Sequence, residues 1–273
     1  MNDKRILYVS SEVIPYLPEN QMSTMSFEAP KMVNAMGGQT RIFMPRFGNI
    51  NERRHQLHEV IRLSGMNLVI NDLDMPLIIK VASIPKERMQ VYFIDNEDYF
   101  KRKSTYSDED GILFDDNDER AIFFAKGVIE TVKKLNWAPD IIHVNGWLSS
   151  LIPLYLKNYY GNEPLFKEAK IVTSVYNQSF EGALNDDMIK KVLFDGIEDE
   201  TVEELKNPTY EGLMKIAIQN SDAIILGDED LPENLVKCIE AQDVPILPYV
   251  AKEEFSNVYQ NFYLKDVLNE EVE

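Results

Sequence analysis

Apolar residues in this chain come in short runs that alternate between strand and helix spacing. The run RILYVSS at 5–11 ends in small residues, which suits a strand buried on both faces that opens into a loop. In MSFEAPKMVNAMGG, Met25, Ala29, Met32, Val33 and Met36 recur at helical spacing, and Gly37-Gly38 supplies a stop. TRIFMPRF at 40–47 reads as a second strand, completing a strand–helix–strand unit of about 40 residues. A different texture follows. Segments 57–63, 66–71, 76–84 and 89–95 look like strands punctuated by Gly65 and Pro85, an antiparallel excursion inserted into a parallel sheet. An acidic loop covers 96–118. Asn117 or Asp118 is placed to cap a helix carrying Ala121, Phe124, Ala125, Val128, Ile129 and Val132 on one side.

The alternation then resumes. Strands are expected at 140–144, 169–175, 222–226 and 244–247. Helices are expected at 147–159, 213–219, 229–241 and 253–267, with acidic helical pieces and loops over 180–206. This predicts an α/β fold: a doubly wound, mostly parallel sheet covered on both faces, with the antiparallel excursion inserted. With no internal repeat and no low-complexity linker, the expected division is one domain over 1–250, followed by a C-terminal helix and acidic tail over 251–273.

Composition narrows the options. The 28 Lys and Arg against 46 Asp and Glu leave a formal net charge of -18, which repels nucleic acid and anionic lipid. No apolar stretch reaches membrane-spanning length and the N-terminus lacks the layout of a signal peptide, so the expected setting is cytoplasmic, with no membrane partner. Cys238 is the single cysteine, expected half-buried in a helix. It excludes an internal disulfide and argues against a cysteine zinc site. His55 and His58 lie near Glu52 and Glu59, but a third ligand is lacking, so no metal is expected. The acids at 108–118 miss the calcium-loop spacing, because Gly111 follows Asp108 by only three positions, and 195–204 reads as an exposed acidic face. Three histidines and one cysteine support no Ser–His–Asp or Cys–His set, and no glycine-rich phosphate loop is present. No cofactor is expected. His143 and Trp147 stand out because the carboxyl ends of strands line the binding crevice in open parallel sheets.

Six strings in order carry a family resemblance. They are ILYVSSEVIPY at 6–16, MPRFGNI at 44–50, VYFIDNEDYF at 91–100, DDNDERAIFFAKGVIETVKKLNWAPDIIHVNGW at 115–147, VTSVYNQSFEG at 172–182 and MKIAIQNSDAIILGDEDL at 214–231. Together they make residues 4–235 resemble the N-terminal, starch synthase catalytic-type domain of glycosyltransferase family 5, which includes bacterial glycogen synthases and plant starch synthases. The resemblance implies a Rossmann-like half of a GT-B fold. In that fold the glucan acceptor lies against the N-terminal half, and ADP-glucose is held largely by a C-terminal half that 273 residues have no room to include at family size.

The same resemblance marks departures where the family does its chemistry. Pro18, Glu19, Asn20, Gln21, Met22, Ser23 and Thr24 stand where the family has Lys-Thr-Gly-Gly-Leu-Gly-Asp. His143, Val144, Asn145, Gly146, Trp147 and Leu148 replace its His-x-His-Asp-Trp-His, and Val175, Tyr176 and Asn177 replace Ile-His-Asn. No catalytic residue is assigned. The candidate substrate-binding residues are Glu12, His143, Asn145, Trp147, Tyr176 and Asn177. The expected function is a glycogen-synthase-like domain without independent glucosyltransfer that binds a glucan or partners in glycogen metabolism. Two alternatives stay open: half of a split ADP-glucose-dependent synthase completed by a partner that supplies a second domain, and a pure protein-interaction domain. The candidate ligands are an α-glucan and ADP-glucose. An exposed Trp147–Asn177 cleft would favour glucan binding there, and a crevice filled by Tyr176 and Met22 would favour the interaction reading.

Overall fold

The computed structural model describes residues 1–271, so positions 272 and 273 of the expected acidic tail lie outside the described residues. Ten strands form the sheet: β1 (Arg5–Ser10), β2 (Gln39–Pro45), β3 (His58–Glu59), β4 (Met66–Ile70), β5 (Leu73–Ile84), β6 (Met89–Asp95), β7 (Ile141–Asn145), β8 (Lys170–Val175), β9 (Ala223–Leu226) and β10 (Ile246–Leu247). Their spatial order is β10-β9-β8-β7-β1-β2-β6-β5-β3, and β4 pairs with β5. The seven strands from β10 to β6 run parallel, while β5 pairs antiparallel with β6, β3 and β4. This is the mostly parallel sheet with an antiparallel insertion that the apolar runs imply. The central strands are apolar on both faces because helices cover both: Ile6, Tyr8, Val9, Ile42, Phe43 and Ile141 are fully buried.

Helices α1 (Gln21–Ala35), α2 (Glu52–His55), α3 (Glu97–Phe100), α4 (Asn117–Leu135), α5 (Leu151–Asn158), α6 (Met188–Phe194), α7 (Tyr210–Gln219), α8 (Glu233–Glu240) and α9 (Phe255–Asn261) connect the strands. α1 starts with a capping box, in which Asn20 accepts from the Ser23 backbone N–H and Ser23 Oγ accepts from the Asn20 N–H. It ends where Gly37 N–H donates to Asn34 and Gly38 N–H to Val33. Cys238 sits half-buried on α8. The chain then closes with α9, which continues as a wider turn over Phe262–Val267. Phe255, Tyr259, Phe262, Tyr263, Leu264 and Val267 of this segment are all buried, so the amphipathic end of the chain is part of the core.

Three local expectations change. Residues 97–100 of the expected acidic loop form α3, capped by Asn96, with Tyr99 and Phe100 buried. The stretch 57–63 is strand only at His58–Glu59; residues 61–63 turn, and Ile61 is 82% exposed. Apolar content there comes from Leu57 and Leu63 packing at the ends of a turn rather than from a paired strand. The cap of α4 is Asp116, not Asn117 or Asp118, and its side chain makes no cap bond. Asp116 is held by Arg102, Asn117 donates to the Tyr106 carbonyl, and Asp118 pairs with Lys191. His55 ends α2 against the Tyr16 ring, while His58 is exposed on β3. Burial, then the neighbouring Arg54, lowers the His55 pKa.

Candidate functional site

The sheet reverses its winding at β1: the chain proceeds from β1 through β2 to β6 on one side, then restarts at β7 on the other. The carboxyl ends of β1 and β7 therefore border the switch-point crevice where α/β sheets bind ligands. Ser10 and Asn145 are the last paired residues there. Four loops meet at this end: Ser11–Glu12 after β1, Gly146–Trp147 after β7, Tyr176–Asn177 after β8 and Gly227–Asp228 after β9.

The chain's own side chains fill the crevice. Gly146 has φ +83, and a Cβ there would lie 2.5 Å from Ser11 Oγ and 2.7 Å from Met22 Sδ. Only a residue without a side chain fits between them. A Cβ on Gly227 would come within 2.4 to 2.8 Å of three Tyr176 ring carbons, so that ring lies directly on the Gly227 backbone. Tyr176 is buried, its hydroxyl donates to Asn145 Oδ1 at 3.3 Å, and its carbonyl accepts from Tyr210. Burial pushes the Tyr176 phenol well above its ordinary pKa, so it holds its proton through the neutral range. Asn145 Nδ2 is buried without a partner among the described residues.

Trp147 is 3% exposed, packed between Tyr106 at 4.9 Å and Phe180 at 5.1 Å between ring centres. Tyr106 reaches on to Glu12, donating to Oε1 at 3.1 Å, and the Asn20 amide donates to Glu12 Oε2 at 2.6 Å. The Glu12 carboxylate thus lies beside the first turn of α1, where a helix N-terminus would favour a bound anion. Asn177 is exposed at the rim, and its backbone N–H donates to Asp228 Oδ2 at 2.6 Å.

His143 lies two residue pairs deeper, opposite Tyr8, facing the closing helix. Its Nδ1 pairs with the Tyr263 hydroxyl at 2.7 Å and its Nε2 with Ser174 Oγ at 2.6 Å. The Tyr8 hydroxyl completes the cluster, 3.3 Å from that of Tyr263. Full burial lowers the His143 pKa to about 3, so the imidazole is neutral. Of the six candidates, Glu12, Asn145, Trp147 and Tyr176 share the crevice, Asn177 stands at its rim, and His143 belongs to the packing between sheet and α9. Tyr106, Phe180 and Tyr263 complete these contacts; Phe180 lies in the 172–182 family string, while no local motif announces Tyr106 or Tyr263. Tyr106 comes from the acidic loop and Tyr263 from a helix 120 positions beyond His143.

The sequence model of the starch synthase catalytic domain matches residues 5–237. This chain belongs to that family. Among curated relatives, it is 37% identical over 190 residues to the glycogen synthase of Chlorobium limicola, covering 69% of this chain and 39% of the relative. It is 33% identical over 237 residues to that of Chlorobium luteolum, covering 86% and 48%. The chain therefore spans less than half the length of these relatives. Among solved structures, the catalytic domain of starch synthase IV from Arabidopsis thaliana, bound to ADP and acarbose, superposes with a TM-score of 0.72 at 14% identity. The match covers 91% of this chain and 52% of that one, a likeness of fold. Among the described residues, no helix is long and apolar enough to cross a membrane.

Proposed function

We propose that this chain is a glycogen-synthase-type domain that does not transfer glucose on its own and acts by associating with partners in glycogen metabolism, the reading that a crevice filled by Tyr176 and Met22 favours. The observation that carries the first half is the closed crevice. A nucleotide diphosphate needs backbone N–H groups in open approach, which glycine loops provide. Here the α1 entry is bordered by Pro18, Glu19 and the Glu12 carboxylate, and Tyr176 and Met22 fill the space beyond. The imidazole that the family places at position 176 is a phenol whose pKa burial raises, unable to exchange a proton near pH 7. The neutral His143, with both ring nitrogens engaged inside the protein, offers no substitute. A net charge of -18 further disfavours a diphosphate ligand.

The test is a calorimetric titration with ADP-glucose beside an assay for transfer of labelled glucose from ADP-glucose to glycogen. The expected result is no saturable heat and no transfer. Saturable binding or measurable incorporation overturns the reading in favour of a donor site, as a split synthase would need.

A further inference from the structure

A second groove lies away from the crevice, between β4, the middle of α4, the end of α5 and the end of α6, and encloses about 450 Å³. Val69, Tyr159 and Phe194 gather on it, at 43%, 45% and 55% exposure. Ile61 and Ile112, also exposed, stand singly on a turn and a loop. Single exposed apolar residues are ordinary, whereas a group of them rimmed by polar residues marks an interaction surface.

One buried ion pair fixes the shape of the groove. Lys126 of α4 and Asp195 at the end of α6, themselves hardly exposed, pair at 2.6 Å. Lys126 also donates to the Val69 carbonyl of β4 at 2.7 Å, and Tyr155 of α5 donates to Asp195 Oδ2 at 2.6 Å. All four bordering elements are thereby tied together, so a partner meets a preformed surface and loses little free energy in ordering it. The two floor charges engage each other, which leaves attraction to the apolar side chains and the rims.

The rims are acidic. Asp74 stands directly opposite Val69 in the β4–β5 register, Asp72 lies in the turn beside it, and Glu198, Asp199 and Glu200 follow shortly after Phe194. All five are exposed. The lysines of α4 and α6 are already engaged: Lys126 by Asp195, Lys133 by Glu130 and Glu163, Lys190 by Asp187, and Lys191 by Asp118 and Glu119, while Lys134 donates to the Leu63 carbonyl. Burial, then Asp195 and Glu130, raises the Tyr159 pKa, as a negative surrounding does.

This charge selects the occupant. A second copy of the chain would bring two acidic rims and two net charges of -18 together, and anionic lipid is repelled in the same way. An added strand would need the Val69 carbonyl, which Lys126 already occupies, so the occupant docks through its side chains, as an amphipathic helix does. We propose that this groove docks a basic amphipathic helix of a partner protein, with the helix's apolar stripe on Val69, Tyr159 and Phe194 and its Lys and Arg side chains against the acidic rims. Such docking rests on the reading of this chain as a domain that associates with partners, and it gives the partner its chemistry.

The probe is a fluorescent peptide of leucine and lysine only, about 18 residues long so that it can form a helix, with leucines at helical spacing. Fluorescence anisotropy follows its titration with the purified chain. Saturable binding is expected, weakened as sodium chloride is raised from about 0.01 M to about 0.15 M. Tyr159→Ser and Phe194→Ser change exposed rings, so thermal melting should show both variants folded, and each should bind on the order of tenfold more weakly. Ile61→Ser and Ile112→Ser, outside the groove, should bind as wild type. A peptide with alanine in place of leucine should bind more weakly than the parent. No binding of the leucine–lysine peptide, equal binding of the alanine–lysine peptide, or binding that Tyr159→Ser and Phe194→Ser leave intact overturns the proposal. Sedimentation should find the chain monomeric; a dimer that Phe194→Ser dissociates would assign the groove to a second copy and overturn it too. The proposed loss of transfer fails separately, on glucose incorporation or ADP-glucose binding, whatever the peptide does.

Discussion

His143 is a titratable group that the fold holds neutral. Both ring nitrogens are bonded within the core, and burial alone lowers its pKa from 6.5 to about 3. Between those values the unfolded chain takes a proton that the folded chain refuses, so stability falls as pH falls. The full contribution of neutral His143 is present above 6.5 and is lost as pH drops through that window toward 3. Within it, one proton changes stability by about 1.4 kcal/mol per pH unit. Urea unfolding at several pH values from 7 to 4 should therefore give the wild type a steeper loss than His143→Gln by about that slope. Parallel losses would mean that carboxylates alone govern the acid response.

At the scale of elements, the closing helix is stapled to the sheet through Tyr263. Its hydroxyl serves both His143 and Tyr8, so Tyr263→Phe keeps the ring volume but leaves two buried polar groups short of a partner. The expected loss is about 1–3 kcal/mol, read as a shift of the urea midpoint with unchanged slope. An unchanged midpoint would mean that water enters to replace the hydroxyl. This staple also marks the boundary of what the sequence makes legible. Strands such as Arg5–Ser10 and Ile141–Asn145 are readable because parallel strands buried on both faces are continuous apolar runs. The stretch 57–63 misleads because Val60, Ile61 and Leu63 are apolar without being paired in a ladder, and only burial separates Leu63 in the core from Ile61 in solvent. At the crevice, the family strings bring Glu12, Asn145 and Tyr176 into view because they follow strand ends. The fillers Tyr106 and Tyr263 stay hidden because packing between distant segments leaves no local pattern. The Lys126–Asp195 pair is hidden for the same reason, its partners 69 positions apart.

At the scale of the whole molecule, charge is the dominant feature, and two effects of salt compete. Surface ion pairs such as Lys4–Glu270 and Lys237–Glu233 attract at contact distance and are weakened by salt, but each is worth only about 0–1 kcal/mol. The unbalanced charge of -18 repels itself over longer distances, which destabilises the compact state. Screening removes long-range interactions first, since the Debye length shrinks from about 30 Å at 0.01 M to about 8 Å at 0.15 M. The pairs with the most buried partners, Lys126–Asp195 and Lys191–Asp118, lie where mobile ions screen least. Salt should therefore relieve more repulsion than it weakens attraction. The melting temperature at pH 7 is expected to rise as sodium chloride is raised over that range, and scanning calorimetry at fixed protein concentration reads it directly. A falling melting temperature would show that the surface pairs outweigh the net charge, and the acidic surface would then need to be treated as a stabilising network rather than a cost of folding.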